Sequence, residues 1–370
     1  MDRSQSIEHG LQPFGDTTHV LGSRPLEERM AYYGVPGVSA AVIDNGTLQW
    51  VRTYGVQQAG ASTSITPETR FAAGSLSKPL TALAVVRLAQ AGVLDLDTNV
   101  NHYLTSWKAP ATRYTQQHKV TLRGLLSHGA GVTTYGFWGY RPDAPVPTLL
   151  QVLDGQAPAN SVPVRVDRAP QTGWRYSSGG YCIVQQVLID VLQMPFADLM
   201  QQVALGPLGM DHSAFLPAPD ATLEPIAACG HDPTGVAVPG RWRIHPELAA
   251  IGLWSTPSDL AKFVIAVQEA MSGRAQNGLT ADAIRHMLSV QIGNWALGLA
   301  IDGQGDVRRF SHGGAQIGFR ASMAGYCERG QGAIVMTNGE RGDHLCVELL
   351  HSIARAYQWP DYYHFLDNTV

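Results

Sequence analysis

Strand-forming sequence stands at both ends of this chain, and mainly helical sequence fills the interval from Phe71 to about Met287. Near the start, Val38 to Asp44 and Leu48 to Tyr54 are β-rich runs around an Asn45-Gly46 turn, which is a hairpin signal. Near the end, Trp295 to Ile301, Val307 to Ser311, Arg320 to Cys327 and Gly332 to Met336 are separated by Gly-rich turns, and Asn338-Gly339 closes the last. A lone hairpin cannot bury its apolar face, so both sets of strands need one sheet. The simplest assembly is an α+β fold: an antiparallel sheet built from both ends of the chain and flanked by N- and C-terminal helices, with a mostly helical lobe inserted in its middle. The flanking helices are Pro25 to Tyr33, ended by Gly34, and about His344 to Tyr357. This predicts a single catalytic domain spanning 1–370 in two lobes, one from residues 25–70 with 289–359 and the other from 71–288. Inside the helical part, Thr256-Pro257-Ser258-Asp259 combines an N-cap, a proline at the first position and an acid three residues on, and Thr280 opens another helix.

Composition narrows the function by exclusion. With 370 residues the chain can bury a large core, and a formal net charge of −4 gives no reason to propose nucleic acid or an anionic membrane as partner. No internal repeat is visible, and no run of 18 apolar residues proposes a transmembrane helix. The first ten residues lack the apolar core of a secretory signal, so a cytoplasmic protein is expected. Cys182, Cys229, Cys327 and Cys346 show no paired spacing and read as buried thiols. The 13 histidines include no His-x-x-x-His pair, so neither metal nor cofactor is proposed. Oligomeric state is left open.

The stretch that carries chemistry is Phe71-Ala-Ala-Gly-Ser-Leu-Ser-Lys78. Residues three apart share a helix face, so Ser75 and Lys78 can meet as nucleophile and proton acceptor. Lys78 is one of four lysines, the one that follows a serine by three, and it sits in an apolar context where a solvated lysine makes little sense. Gly74 lets the chain turn sharply and leaves first-turn N–H groups free to face a developing negative charge. Pro79 cannot donate to the carbonyl of Ser75, so the first turn is expected to distort or the helix to start near Ser77.

Two more stretches suit the same chemistry. Trp174-Arg-Tyr-Ser-Ser-Gly-Gly-Tyr181 places Tyr176 and Ser178 in a Gly-rich loop ahead of a helix from Cys182 to Leu192, and Ser311-His-Gly-Gly-Ala-Gln-Ile-Gly-Phe319 places His312 and Gly314 where a strand is expected to end. In this order, Ser75-x-x-Lys78, Tyr176-x-Ser178 and His312-x-Gly314 resemble the three motifs of the penicillin-recognising serine enzymes: class C β-lactamases, D-amino-acid peptidases and related esterases. Leu125-Leu-Ser-His-Gly-Ala-Gly131, Pro207-Leu-Gly-Met210 and Gly252-Leu-Trp-Ser-Thr256 strengthen the resemblance, which runs from about Gly34 to Tyr357.

That resemblance implies a serine β-lactamase/transpeptidase-like fold and a serine hydrolase working through an acyl-enzyme on Ser75. Lys78 and Tyr176 would share the proton, with Tyr176 favoured as base, and the N–H groups of Ser75 and Ala315 would form the oxyanion hole. The chain departs from the β-lactamase pattern twice. Ser178 replaces an asparagine whose amide orients the lysine and the substrate, and His312 replaces a fixed lysine cation with a group that titrates near pH ~6.5. Both changes shift the expected substrate from a β-lactam towards a small ester or amide, with acyl transfer open to the same machinery. The neutral form of His312 is favoured, and activity is expected to rise through its pKa. The aromatic loop Tyr135-Gly-Phe-Trp-Gly-Tyr140 offers Trp138 as an apolar wall of the pocket.

Overall fold

The computed structural model describes residues 3–11, 22–275 and 277–362; part of the polar lead that precedes Arg24 lies outside them. β1 (Gly37–Asp44) and β2 (Thr47–Gly55) form the hairpin. Asn45 and Gly46 turn it with φ of 53° and 70°, the left-handed pair that matches strand twist in a two-residue turn. β6 (Ala300–Asp302), β7 (Arg309–Gln316), β8 (Phe319–Tyr326) and β9 (Gly332–Thr337) complete an antiparallel sheet in the order β2-β1-β9-β8-β7-β6. The two ends of the chain meet where β1 pairs with β9.

β1 is buried along nearly its whole length because both faces of the sheet are covered, which is why its sequence from Val38 to Ile43 is apolar on both faces, Ser39 apart, instead of alternating. Its alternate residues serve two cores. Val38, Ala40 and Val42 join Val335 beneath the Leu26–Tyr33 and Gly342–Ala356 helices. Ala41 and Ile43 join Ile334 and Met336 on the other face, against the Pro257–Met271 helix and the rest of the helical part. The two covering helices are tied together by a buried ion pair: Arg29 Nε donates to Glu348 Oε2 at 2.8 Å, and the Tyr33 hydroxyl donates to Glu348 Oε1 at 2.7 Å.

Between the hairpin and β6 the chain is helical, apart from a small sheet that positions the nucleophile. There β5 (Leu253–Ser255) pairs with both β3 (Phe71–Ala72) and β4 (Ala214–Phe215). The Ser77–Gln90 helix runs through the centre and is buried on all sides through Val86, so it packs as a core helix. Thr256 caps the Pro257–Met271 helix by accepting from the Asp259 N–H, and Thr280 does the same for Ala281–Leu288 through Ala283. The four cysteines are free and buried.

Four readings differ from expectation: the helix expected from Cys182 spans Ser178–Leu192 and takes in Ser178, Gly179 and Gly180, because Ser177 caps it there, and three more concern strands. The run from Trp295 to Ile301 contributes only Ala300–Asp302 as strand, because Gly298 takes φ 77° and approaches the Ser77–Gln90 helix, where a Cβ on it would lie 2.7 Å from that of Ala82. β7 runs on through His312, Gly313, Gly314 and Ala315, so these residues lie inside a strand and not at its end. Thirdly, short strands occur within the part read as helical, in the small sheet just described.

Candidate active site

Gly74 makes the first sharp turn of the site, with φ of 56°. A Cβ there would lie 2.6 Å from the Ala315 nitrogen, so glycine is what allows the nucleophile segment to touch β7. The same holds from the other side, since a Cβ on Gly314 would lie 2.1 Å from the Ala73 carbonyl oxygen. Ser75 therefore sits at the seam between the sheet and the helical part. It stands in a turn just before the helix, which begins at Ser77, as the missing donor of Pro79 demands. The turn is held by Ser77, whose Oγ donates to the Gly74 carbonyl at 2.7 Å and accepts from the Leu253 N–H at 2.9 Å.

Lys78 is fully buried and its Nζ donates to Ser75 Oγ at 3.0 Å and to the Ala250 carbonyl at 2.9 Å. Burial in this apolar wall drives its pKa down to about 7, slightly opposed by Cys182. Its ammonium lies 5.0 Å from the ring centre of Tyr176 and 5.5 Å from that of Tyr181. Burial pushes the pKa of the Tyr176 hydroxyl far up, an effect that neighbouring Ser75 only partly offsets. His312 is buried, its Nδ1–H donates to the Gly313 carbonyl at 2.6 Å, and its ring centre lies 6.3 Å from that of Tyr176. Burial first, and the nearby Lys78 second, lower its pKa to about 3.

These directions bear on two expectations. The sequence favours Tyr176 as the base, whereas the same burial raises the phenol and lowers the amine, a direction that favours Lys78 as the group held unprotonated near neutral pH. Burial also holds His312 neutral through the range in which Lys78 titrates, which favours Lys78 over His312 as the source of an acidic limb.

Backbone geometry fixes Tyr176 from both sides. Ser177 caps the Ser178–Leu192 helix by accepting from the Gly180 N–H at 2.9 Å, and its own N–H donates to His128 Nδ1 at 3.1 Å. The His128 ring packs on Tyr176 with centres 4.2 Å apart. His128, buried and with φ of 62°, was overlooked in the sequence because it reads there as connecting text. Ser178 is buried at the first position of its helix, and its N–H donates to the Tyr135 carbonyl at 3.1 Å. That bond brings Tyr135 to the site, its ring 5.1 Å from Tyr176, while among the described residues Trp138 makes no ring contact with the cluster. Trp174 and Trp295 complete the surround, stacked on each other at 5.7 Å and placed 6.5 Å and 5.8 Å from Tyr176. Open hollows of about 430 Å³ beside Arg123 and about 480 Å³ beside Glu224 lie elsewhere, and neither is lined by Ser75 or its partners.

A serine whose hydroxyl accepts from a neutralisable lysine beside a half-buried tyrosine, next to a strand of the sheet, is arranged for acyl transfer. The model of the Beta-lactamase family matches residues 24–357, and the chain belongs to that family. Among similar proteins, the unguisins hydrolase of Aspergillus violaceofuscus is 26% identical over 286 residues, covering 70% of this chain and 47% of the relative. A β-lactamase of Pseudomonas fluorescens is 30% identical over 245 residues, 65% of this chain and 62% of the relative. The match thus spans about half to three fifths of these relatives' length. The octameric penicillin-binding protein homologue of Pyrococcus abyssi has the same fold, with a TM-score of 0.74 at 24% identity over 89% of this chain and 75% of that one.

Proposed function

We propose that this protein is a serine hydrolase that acts through an acyl-Ser75 intermediate on small uncharged esters or amides. The observation that carries the reading is the 3.0 Å contact between Ser75 Oγ and a buried Lys78 whose pKa is brought to about 7. Neutral Lys78 accepts the Ser75 proton as Oγ attacks the carbonyl carbon, the Ser75 and Ala315 N–H groups receive the oxyanion, and Tyr176 passes the proton to the leaving atom. Water then repeats the sequence on the acyl-enzyme and releases the acid. An acceptor other than water would give acyl transfer by the same steps. Family membership and a relative named as a hydrolase support the reaction class. Ser178 and the neutral His312 favour an ester over a β-lactam, since neither offers a cation to the carboxylate that β-lactams carry.

The β-lactamase relative favours a second reading, β-lactam hydrolysis. One preparation decides between them. A fluorophosphonate should label Ser75 and fail to label the Ser75→Ala variant, and p-nitrophenyl acetate should turn over roughly a hundredfold better than nitrocefin by specificity constant, about 2.7 kcal/mol of transition-state stabilisation. Rapid nitrocefin turnover with negligible ester activity would restore the β-lactamase reading. Absence of labelling would leave a silent relative.

A further inference from the structure

Four aromatic rings crowd the proton-transfer side of the site, and two of them are open to solvent. Tyr135 is 76% exposed and Trp174 43% exposed, yet both lie against the buried machinery: Tyr135 at 5.1 Å and Trp174 at 6.5 Å from Tyr176, with Trp174 stacked at 25° on Trp295. Large apolar groups left in water are explained when a ligand covers them. Their position says which part of the ligand. The proton taken from Ser75 must be delivered to the leaving atom, so the leaving group lies beside Lys78 and Tyr176, and the rings around Tyr176 line its path out.

Charge narrows the class further. The cation whose charge reaches His312 is Lys78. Arg175, next to both Trp174 and Tyr176 in sequence, is held by Asp167. A carboxylate beside these rings would gain no counter-ion and would do better hydrated, whereas a flat apolar ring would stack on Trp174 and Tyr135. The Tyr135 loop is anchored for that purpose: the Ser178 and Gly179 N–H groups donate to the Tyr135 and Thr134 carbonyls, both at 3.1 Å. Ser177 Oγ in turn donates to the Thr133 carbonyl at 2.6 Å.

We propose that Tyr135, Trp174 and Trp295 form a leaving-group subsite that selects esters or amides whose alcohol or amine carries a flat, uncharged aromatic ring. The proposal rests on the acyl-Ser75 reading. In the reaction Ser75 Oγ bonds to the acyl carbon, the C–O bond of the ester breaks, and the aryl-bearing alcohol leaves with the proton that came from Ser75.

The test compares acetates of 2-naphthylmethanol and 2-methoxyethanol, which share the acyl group and leave as alcohols of similar basicity, so that preference reports binding and not intrinsic reactivity. The parent should prefer the naphthylmethyl ester by at least about tenfold in kcat/KM, mostly through KM, from the energy of aromatic packing and apolar burial. Trp174→Ala and, separately, Tyr135→Ala should each cut that ratio severalfold. Both side chains are solvent-facing, so the folds of the variants should persist, which circular dichroism checks. Equal use of the two acetates by the parent, or a loss in Trp174→Ala that falls alike on both, overturns the subsite while leaving the hydrolase reading intact. Hydrolysis of both acetates no faster than by Ser75→Ala overturns the hydrolase reading and the subsite with it.

Discussion

Lys78 links activity and stability to pH in opposite ways, and the size of each effect follows from its burial. A lysine of ordinary pKa 10.5 is neutral in roughly one molecule in three thousand at pH 7, whereas at the value of about 7 that burial imposes, half the molecules hold a free amine, a gain of roughly a thousandfold. Only the free amine can take the Ser75 proton, so kcat/KM for a neutral ester should rise with pH, reach half its plateau near 7 and stay up beyond it. Stability carries the reverse of that arrangement. Between pH 7 and 10.5 the unfolded chain holds a proton on Lys78 that the folded chain does not, so stability rises with pH across this window. The whole difference, about 5 kcal/mol for a shift of this size, is a destabilisation fully present below pH 7 and gone above pH 10.5. Lys78→Met keeps most of the stem and removes the charge. It should be inactive, more stable than the parent at pH 6 in urea titrations, and its advantage should shrink towards pH 10. A rate plateau that extends down to pH 5, or a stability gap that stays constant from pH 6 to 10, would refute the reasoning.

Three further outcomes test the surroundings. Gly314→Ala sets a methyl 2.1 Å from the Ala73 carbonyl oxygen, so β7 must move off the nucleophile segment; turnover should fall by tenfold or more while denaturation shows a loss of only about 1–3 kcal/mol. Glu348→Gln strands the buried Arg29 guanidinium and should destabilise by about 3–5 kcal/mol in chemical denaturation, while the double change Arg29→Met with Glu348→Leu should lose much less. His312→Asn should slow turnover yet leave the midpoint of the pH–rate profile near 7, because that midpoint belongs to Lys78; a midpoint displaced by more than about one unit would return the limb to the histidine.

What the sequence made legible was local. The Asn45-Gly46 turn, the Thr256 and Thr280 caps and the helix start at Ser77 depend on a few adjacent residues, and each appears where its signal stands. The reach of β7 was missed because glycines weaken a strand pattern, whereas here Gly314 is required by Ala73, over two hundred residues away. Trp295 read as strand because aromatic residues suit strands, yet its partners are His128, Trp174 and His312. In the aromatic loop the sequence pointed to Trp138 over Tyr135, a choice decided in the fold by one backbone bond from Ser178. Proton affinities were the least legible, since they depend on burial and no motif encodes how dry its residues are.

That dryness unifies the site. One cause, loss of water, lowers Lys78 and His312 and raises Tyr176, so above neutrality all three stand uncharged together. His128 follows the same rule, held well below its ordinary value by burial. A cluster without fixed charge binds a charged substrate poorly, because the substrate would surrender its hydration with no counter-ion in return. On the proposed reading it suits a neutral ester, whose negative charge appears only when Oγ attacks and only on the carbonyl oxygen. On the proposed reading, preference for an uncharged substrate and a base that works at neutral pH are two consequences of the same burial. A solvated cation introduced in place of His312 would trade one against the other: it would attract carboxylates and, by repelling the ammonium form of Lys78, move the activity midpoint below 7.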